Sequence, residues 1–318
     1  MRSISAALLF ALTALTTSVS ASTPSIGAVR PPGAQRGTEL EVTLAGARLG
    51  DAQQILWYRS GIETVALAKV DDNNVKAKLK LASDCPLGIH EFRLRTATGI
   101  SELRQFCVGA LPETQEKEPN NDFSTPQPIP FGCVVNGVAE NEDVDYFVVE
   151  AKKGQRITAE VEGIRLGITH FDPYVAILNE KRFELSSSDD DALVRVDGVA
   201  AIVAPEDGKY IIQVRESAYA GNGGCLYRLH VGSFPRFKAL LPAGGKLGEK
   251  LSVKWIGDPL GDVSTEVQLP SVTEPNFGIY AEDAAGQAPH PNPFRLSTFG
   301  NVMEVEPNDD QAHATAFN

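Results

Sequence analysis

The chain has 318 residues, with 41 acidic against 29 basic side chains and a net charge of −12 at neutral pH. That balance argues against nucleic acid and anionic membrane as partners, and it leaves carboxylates available for cations. The length accommodates two or three domains.

Arg2 gives a short positive start, Ala6 to Leu15 is an apolar run, and small residues follow at Val19 and Ala21. This pattern predicts a secretory signal peptide over 1–21, too short in its apolar part to span a bilayer. No later stretch approaches the ~18 apolar residues of a membrane helix. The expected location is therefore secreted, extracellular or periplasmic, with no membrane insertion.

Period-two alternation dominates the rest. Leu40, Val42 and Leu44 alternate with Glu39, Glu41 and Thr43. Val75, Ala77, Leu79 and Leu81 alternate with Lys76, Lys78 and Lys80, and Ile157, Ala159 and Val161 with Arg156, Thr158 and Glu160. The same holds around Phe92, Ile212 and Val253. Each predicts a strand with one face in a core and one in water, the mark of antiparallel sheets. Gly, Asn, Asp and Pro clusters separate them, and no segment sustains a helical period. The predicted fold class is all-β, a tandem array of antiparallel β-sandwiches.

The chain also repeats itself. Gly37–Asp51 aligns without gaps on Gly248–Asp262, and Glu116–Asp122 (EKEPNND) recurs at Glu304–Asp310 (EVEPNDD). Two ordered matches predict four segments, 25–110, 116–232, a shorter copy of the first at 233–303, and the start of a copy of the second at 304–318. A strand set lacking most of its partners cannot bury a core, so a longer parent chain or disorder beyond about residue 303 is expected.

The landmarks of 116–232 are Glu116–Asp122, Asn136–Gly137, Asp143–Phe147 (DVDYF), Lys152–Ile157 (KKGQRI), Arg165–Gly167, Asp172–Leu178 (DPYVAIL), Ser186–Asp191, Asp207–Tyr210 and Tyr227–Gly232. In this set and order the segment resembles the bacterial pre-peptidase C-terminal domain. That family is a β-sandwich found beside secreted proteases and related to the collagen-binding domains of bacterial collagenases. Residues 25–110, with their PPGAQRGTELEVTLAG opening, resemble an immunoglobulin-like domain, and 233–303 a second, shorter one. The resemblance implies a jelly-roll-like sandwich for 116–232. It also implies a secreted, non-catalytic binding or accessory protein with an extracellular polymer or protein as ligand. The alternative is the accessory N-terminal part of a secreted peptidase or hydrolase whose catalytic domain lies outside this chain.

In an extended segment, residues two apart point the same way. Glu116, Glu118 and Asn120 thus present oxygens along one side, and Asp143 and Asp145 form a second pair at the same spacing. If the two segments meet, they offer the six to eight oxygens that Ca2+ takes. The resemblance adds Asn121, standing where an aspartate is commoner, which lowers the ligand charge. The metal ligands so implied are Glu116, Glu118, Asn120, Asn121, Asp143 and Asp145. The competing reading has these groups capping turns and binding backbone N–H groups. Asp189–Asp191 reads as a solvated turn.

The five histidines, His90, His170, His230, His290 and His313, are expected not to assemble, and no GxSxG or HExxH signature occurs. No catalytic residue is expected. Cys85 and Cys107 bracket the last strands of the first segment, and Cys133 and Cys225 the first and last strands of the second. An oxidising compartment favours disulfides within each pair, worth ~3 kcal/mol or more; free buried thiols are the alternative.

Overall fold

The computed structural model describes residues 23–316; the expected signal peptide over 1–21 lies outside the described residues. The protein is all-β. Among the described residues the helical structure is one 3-10 turn, Ile164–Leu166. No helix there is long and apolar enough to cross a membrane.

Strands between Ser25 and Gly109 make two four-stranded sheets. One is ordered Ser25–Arg30, Glu39–Ala47, Asn74–Leu81, Ile62–Lys69; the other is Gly33–Gln35, Arg104–Gly109, Gly88–Thr96, Ala52–Trp57. Alternation sets their faces. In Asn74–Leu81 the apolar positions are buried, while Lys76, Lys78 and Lys80 are exposed. Val42, Leu44, Val75 and Leu79 from one sheet meet Ile55, Phe92, Leu94 and Phe106 from the other in a single core. Each such side chain contributes about 1.5–3 kcal/mol.

Residues 113–232 build a second pair of sheets. Gln127–Pro128, Val144–Ala151, Gly208–Glu216, Pro173–Asn179 and Glu184–Ser188 form one. Val199–Val203, Arg156–Glu162, Leu226–Gly232, Cys133–Val138 and Glu113–Gln115 form the other. Phe147, Val149, Ile177, Ile212 and Val214 face Val135, Ile157, Val161, Leu229 and Val231 across the core. Beyond Ser233 a three-stranded sheet, Ala239–Leu241, Lys250–Ile256 and Val263–Gln268, covers a smaller cluster around Trp255, Phe237 and Phe294. Gly37 and Gly248, which occupy the same place in the repeat, have φ of 78° and 73°. Both sit in the left-handed region, where a Cβ is unfavourable, just before the strands Glu39–Ala47 and Lys250–Ile256. No strand follows Ser297 among the described residues, and Glu304–Glu306 are exposed.

Two expectations need correction. The strands Arg156–Glu162 and Leu226–Gly232 do not have one face in water: every residue in both is buried. Their polar face is covered by residues from the segments before and after, as described below. The disulfides are also absent, because all four cysteines are free and buried. Cys133 lies opposite Val231, whereas the Cys225 carbonyl accepts from Ala139 at the other end of the same strand pair. At ~3.3 Å per residue they are roughly 20 Å apart, against the ~7 Å limit for a bridge. Cys85 packs in the core with Phe106. Cys107, the next residue along, points to the opposite face of the sheet, against Leu166 and Leu226.

Candidate cation site

The strand Glu113–Gln115 runs parallel to Cys133–Val138, with Gln115 opposite Asn136. This pairing carries the chain to Glu116, whose N–H donates to the Asn136 carbonyl at 3.0 Å. The Glu116 carboxylate accepts the Val138 N–H at 2.7 Å. Gly137 is required between them: a Cβ there would lie 2.3 Å from the Tyr227 hydroxyl and 2.7 Å from Glu116 Oε2. Glu118 accepts the Asn120 N–H at 2.9 Å, and the Asn120 carbonyl accepts the Tyr146 N–H at 3.0 Å. The opening segment is thereby docked on the strand that carries Asp145.

Glu116, Glu118, Asp143 and Asp145 converge, each with a carboxylate oxygen within 4.8 Å of the others. Asn120 and Asn121 lie against them: Asn120 Nδ2 is 3.4 Å from Glu116 Oε1, and Asn121 Nδ2 donates to Asp143 Oδ1 at 2.5 Å. Tyr227, on the last strand of the sandwich, donates to Asp145 Oδ2 at 2.7 Å. All six residues picked out from sequence are thus brought to one place; Tyr227 and Gly137 are the supporting residues that spacing alone did not mark.

The electrostatics are unbalanced. Asp145 is fully buried, and neither its Oδ1 nor the Oδ1 of buried Asn120 has a hydrogen-bond partner. Among the described residues no Lys, Arg or His forms an ion pair with any of the four acids. Burial, then a hydrogen bond with the Glu116 carboxyl and the Glu116 and Asp143 charges, push the Asp145 carboxyl far above the usual carboxylate range. Burial likewise raises Glu116. Like charges in a low-dielectric site cannot all ionise without a counter-charge. Converging carboxylates and orphaned amide oxygen make a hard, all-oxygen donor set that fits Ca2+.

The histidines do assemble in part. His230 and His290 stack edge to face, 5.2 Å between ring centroids, beside buried Glu160 and Glu162. These acids occupy the polar face of Arg156–Glu162. Arg236 pairs with Glu160 at 2.6 Å and Arg165 with the same carboxylate at 2.9 Å; Arg228 joins Glu162 at 3.1 Å and Glu113 at 2.5 Å. Arg165 also holds Asp197, and Arg156 bridges Asp258 and Asp283. Cys107 donates to Glu162 at 3.4 Å from the preceding sheet. Burial alone would raise the Glu160 carboxyl, but Arg236, His290 and Arg165 hold it well below its ordinary value. Sequence alternation flagged these residues as polar, not as covered.

One thiol meets an imidazole. Cys85 Sγ lies 3.7 Å from His90 Nε2, but that nitrogen is also 2.7 Å from the Pro86 carbonyl, so its proton is directed there. Burial raises the Cys85 thiol and lowers His90, and both side chains are sealed in the core. A neutral, enclosed pair of this kind is packing, not an activated nucleophile.

No protein-family model matches the chain, and no curated protein matches it. Solved structures overlap parts of it, the following three among them. The pre-peptidase C-terminal domain of a Bacillus anthracis collagenase is 14% identical over 36% of this chain and 99% of that one, with a TM-score of 0.28. Aeromonas hydrophila PliG, a periplasmic inhibitor of g-type lysozyme, is 17% identical over 38% and 97%, with a TM-score of 0.28. SGBP-B of a Bacteroides ovatus mixed-linkage glucan utilization locus is 8% identical over 65% and 74%, with a TM-score of 0.24.

Proposed function

We propose that this is a secreted, non-catalytic binding or accessory protein, in which 116–232 acts as a pre-peptidase C-terminal-type module that holds Ca2+ and binds an extracellular polymer or protein. The observation that carries this reading is the uncompensated convergence of Glu116, Glu118, Asp143 and Asp145, with orphaned oxygens on Asp145 and Asn120. A bound Ca2+ supplies the positive charge that no side chain provides. Glu116 and Glu118 bring ligands from the segment entering the sandwich, Asp145 brings its own from the strand Val144–Ala151, and Asp143 from just before that strand. Tyr227 orients Asp145 by donating to Oδ2, and Asn121 restrains Asp143.

Two measurements test it. Calorimetric titration of the full chain with Ca2+ should give one equivalent of binding and a raised melting temperature. Co-sedimentation with insoluble extracellular polymers, fibrillar collagen and bacterial cell wall among them, should then be stronger in Ca2+ than in chelator. No heat and no melting shift would remove the calcium, and no retention on any polymer or partner in either condition would remove the binding role.

A further inference from the structure

We propose that Glu162, His230 and His290 are the protein ligands of a second metal site, of the Zn2+ class, at the junction between the sandwich of 116–232 and the segment that follows it. One ligand atom from each of the three lies within 4.8 Å of the others. His290 Nε2 is 3.3 Å from Glu162 Oε1, and His230 Nε2 is 3.5 Å from Glu162 Oε2. Those separations are long for N–H···O hydrogen bonds, which favour about 2.7–3.2 Å. The first matches the edge of a tetrahedron, about 3.3–3.4 Å, when ligands stand about 2.0–2.1 Å from a Zn2+; the second runs to the other carboxylate oxygen of Glu162, so one oxygen or both can face the ion. The donor set, two imidazoles and one carboxylate, is the borderline-soft type that Zn2+ takes and Ca2+ does not.

Two further features point to a ligand. His230 is 2% exposed, and its Nε2, aimed at this spot, makes no hydrogen bond of normal geometry and has only Glu162 Oε2, 3.5 Å away, before it. Such a buried nitrogen calls for a partner. His290 is already oriented as a metal-bound imidazole would be: its Nδ1 lies 2.8 Å from Glu160 Oε1, leaving Nε2 to face the site. A carboxylate on the far nitrogen is the usual outer support of a histidine ligand. Cys107 restrains the Glu162 carboxylate from the other side. Nor do the surrounding arginines exclude a cation. Four of them, Arg156, Arg165, Arg228 and Arg236, are ion-paired at this junction with six carboxylates, which leaves two negative charges for a divalent ion to neutralise. The fourth coordination position falls to water, admitted past His290, whose side chain is 13% exposed. Since Glu162 and His230 belong to the sandwich and His290 to the following segment, the metal would fasten one to the other.

The test uses the full chain, stripped with chelator and held in excess Ca2+ so that the acidic site is occupied. Titration with Zn2+, and with Co2+ as a spectroscopic stand-in, should give one equivalent per chain and the intense visible bands of four-coordinate Co2+. His230→Gln and His290→Gln should each abolish the bands, and Glu160→Gln should weaken Zn2+ binding about 10–100-fold. His170→Gln and His313→Gln, which lie outside the proposed ligand set, should leave uptake unchanged. Circular dichroism establishes which variants fold, and the bands of the unsubstituted chain do not depend on any variant. A folded chain that takes up neither ion, or uptake that survives both His230→Gln and His290→Gln, would overturn the proposal. Loss of Ca2+ binding alone would leave it standing and count against the acidic site instead.

Discussion

Asp145 concentrates the problem that the acidic site poses. Its carboxyl is fully buried, keeps one oxygen unpartnered, and stands beside Glu116 and Asp143. A folded-state pKa raised above the unfolded value gives stability that is fully present at acid pH and lost as pH rises. The cation-free protein should therefore weaken from about pH 4 upward, and saturating Ca2+ should flatten that slope. Asp145→Asn keeps the acceptor for Tyr227 but removes the charge. It should stabilise the cation-free protein by about 1–3 kcal/mol and eliminate the Ca2+-induced melting shift, both read from thermal melts with and without chelator. A variant that keeps the shift would take Asp145 out of the ligand set. The spacing of Glu116, Glu118, Asp143 and Asp145 was legible because extended chain has a fixed period. Tyr227 was not, since its role depends on the last strand closing beside the first. The cysteines failed for a related reason: sharing a segment says nothing about which end of a strand, or which face, a thiol occupies. Alkylation in denaturant without reductant should accordingly label all four; two or none would restore the bridges.

At the scale of the strand, periodicity separated core from non-core faces correctly but could not say what lies on the non-core face. Lys76 and Arg228 were equivalent in sequence, each a cation alternating with apolar residues. In the fold, Lys76 pairs with Glu41 in water, both side chains about half exposed, whereas Arg228 is 1% exposed between Glu113 and Glu162. Exposed pairs of this sort contribute 1 kcal/mol or less. Removing one member of a buried set strands the others without compensation, at about 3–5 kcal/mol. Urea unfolding should consequently show Lys76→Met within about 0.5 kcal/mol of the parent and Arg228→Met several-fold worse. Equal effects would mean that water reaches the Arg228 network. The signal that sequence did contain was excess: Arg156, Thr158, Glu160 and Glu162 crowd one face of a single strand, and Arg228 and His230 its neighbour.

Across the whole molecule, the three cores are unequal, and a buried ion network joins the last segment to the central sandwich. The cluster around Trp255 holds eight buried apolar residues against twenty-two in the central sandwich, so the last segment has the least stability of its own. Its attachment runs through Arg236 and His290 onto Glu160, through Asp258 and Asp283 onto Arg156, and through the Phe234 carbonyl, which accepts from Thr158. A buried ionic junction adds little net stability against water, yet it tolerates only one relative placement, because any other leaves charges unpaired. The last segment should therefore borrow its cooperativity from the sandwich. Scanning calorimetry of the parent should show the two unfolding together. Arg236→Ala, which removes one of the two arginines on Glu160 together with its hydrogen bond to the His290 carbonyl, should split off an earlier transition of the size expected for 233–303, lower by several degrees. Identical single transitions in parent and variant would show that apolar contact, not this ion network, couples them.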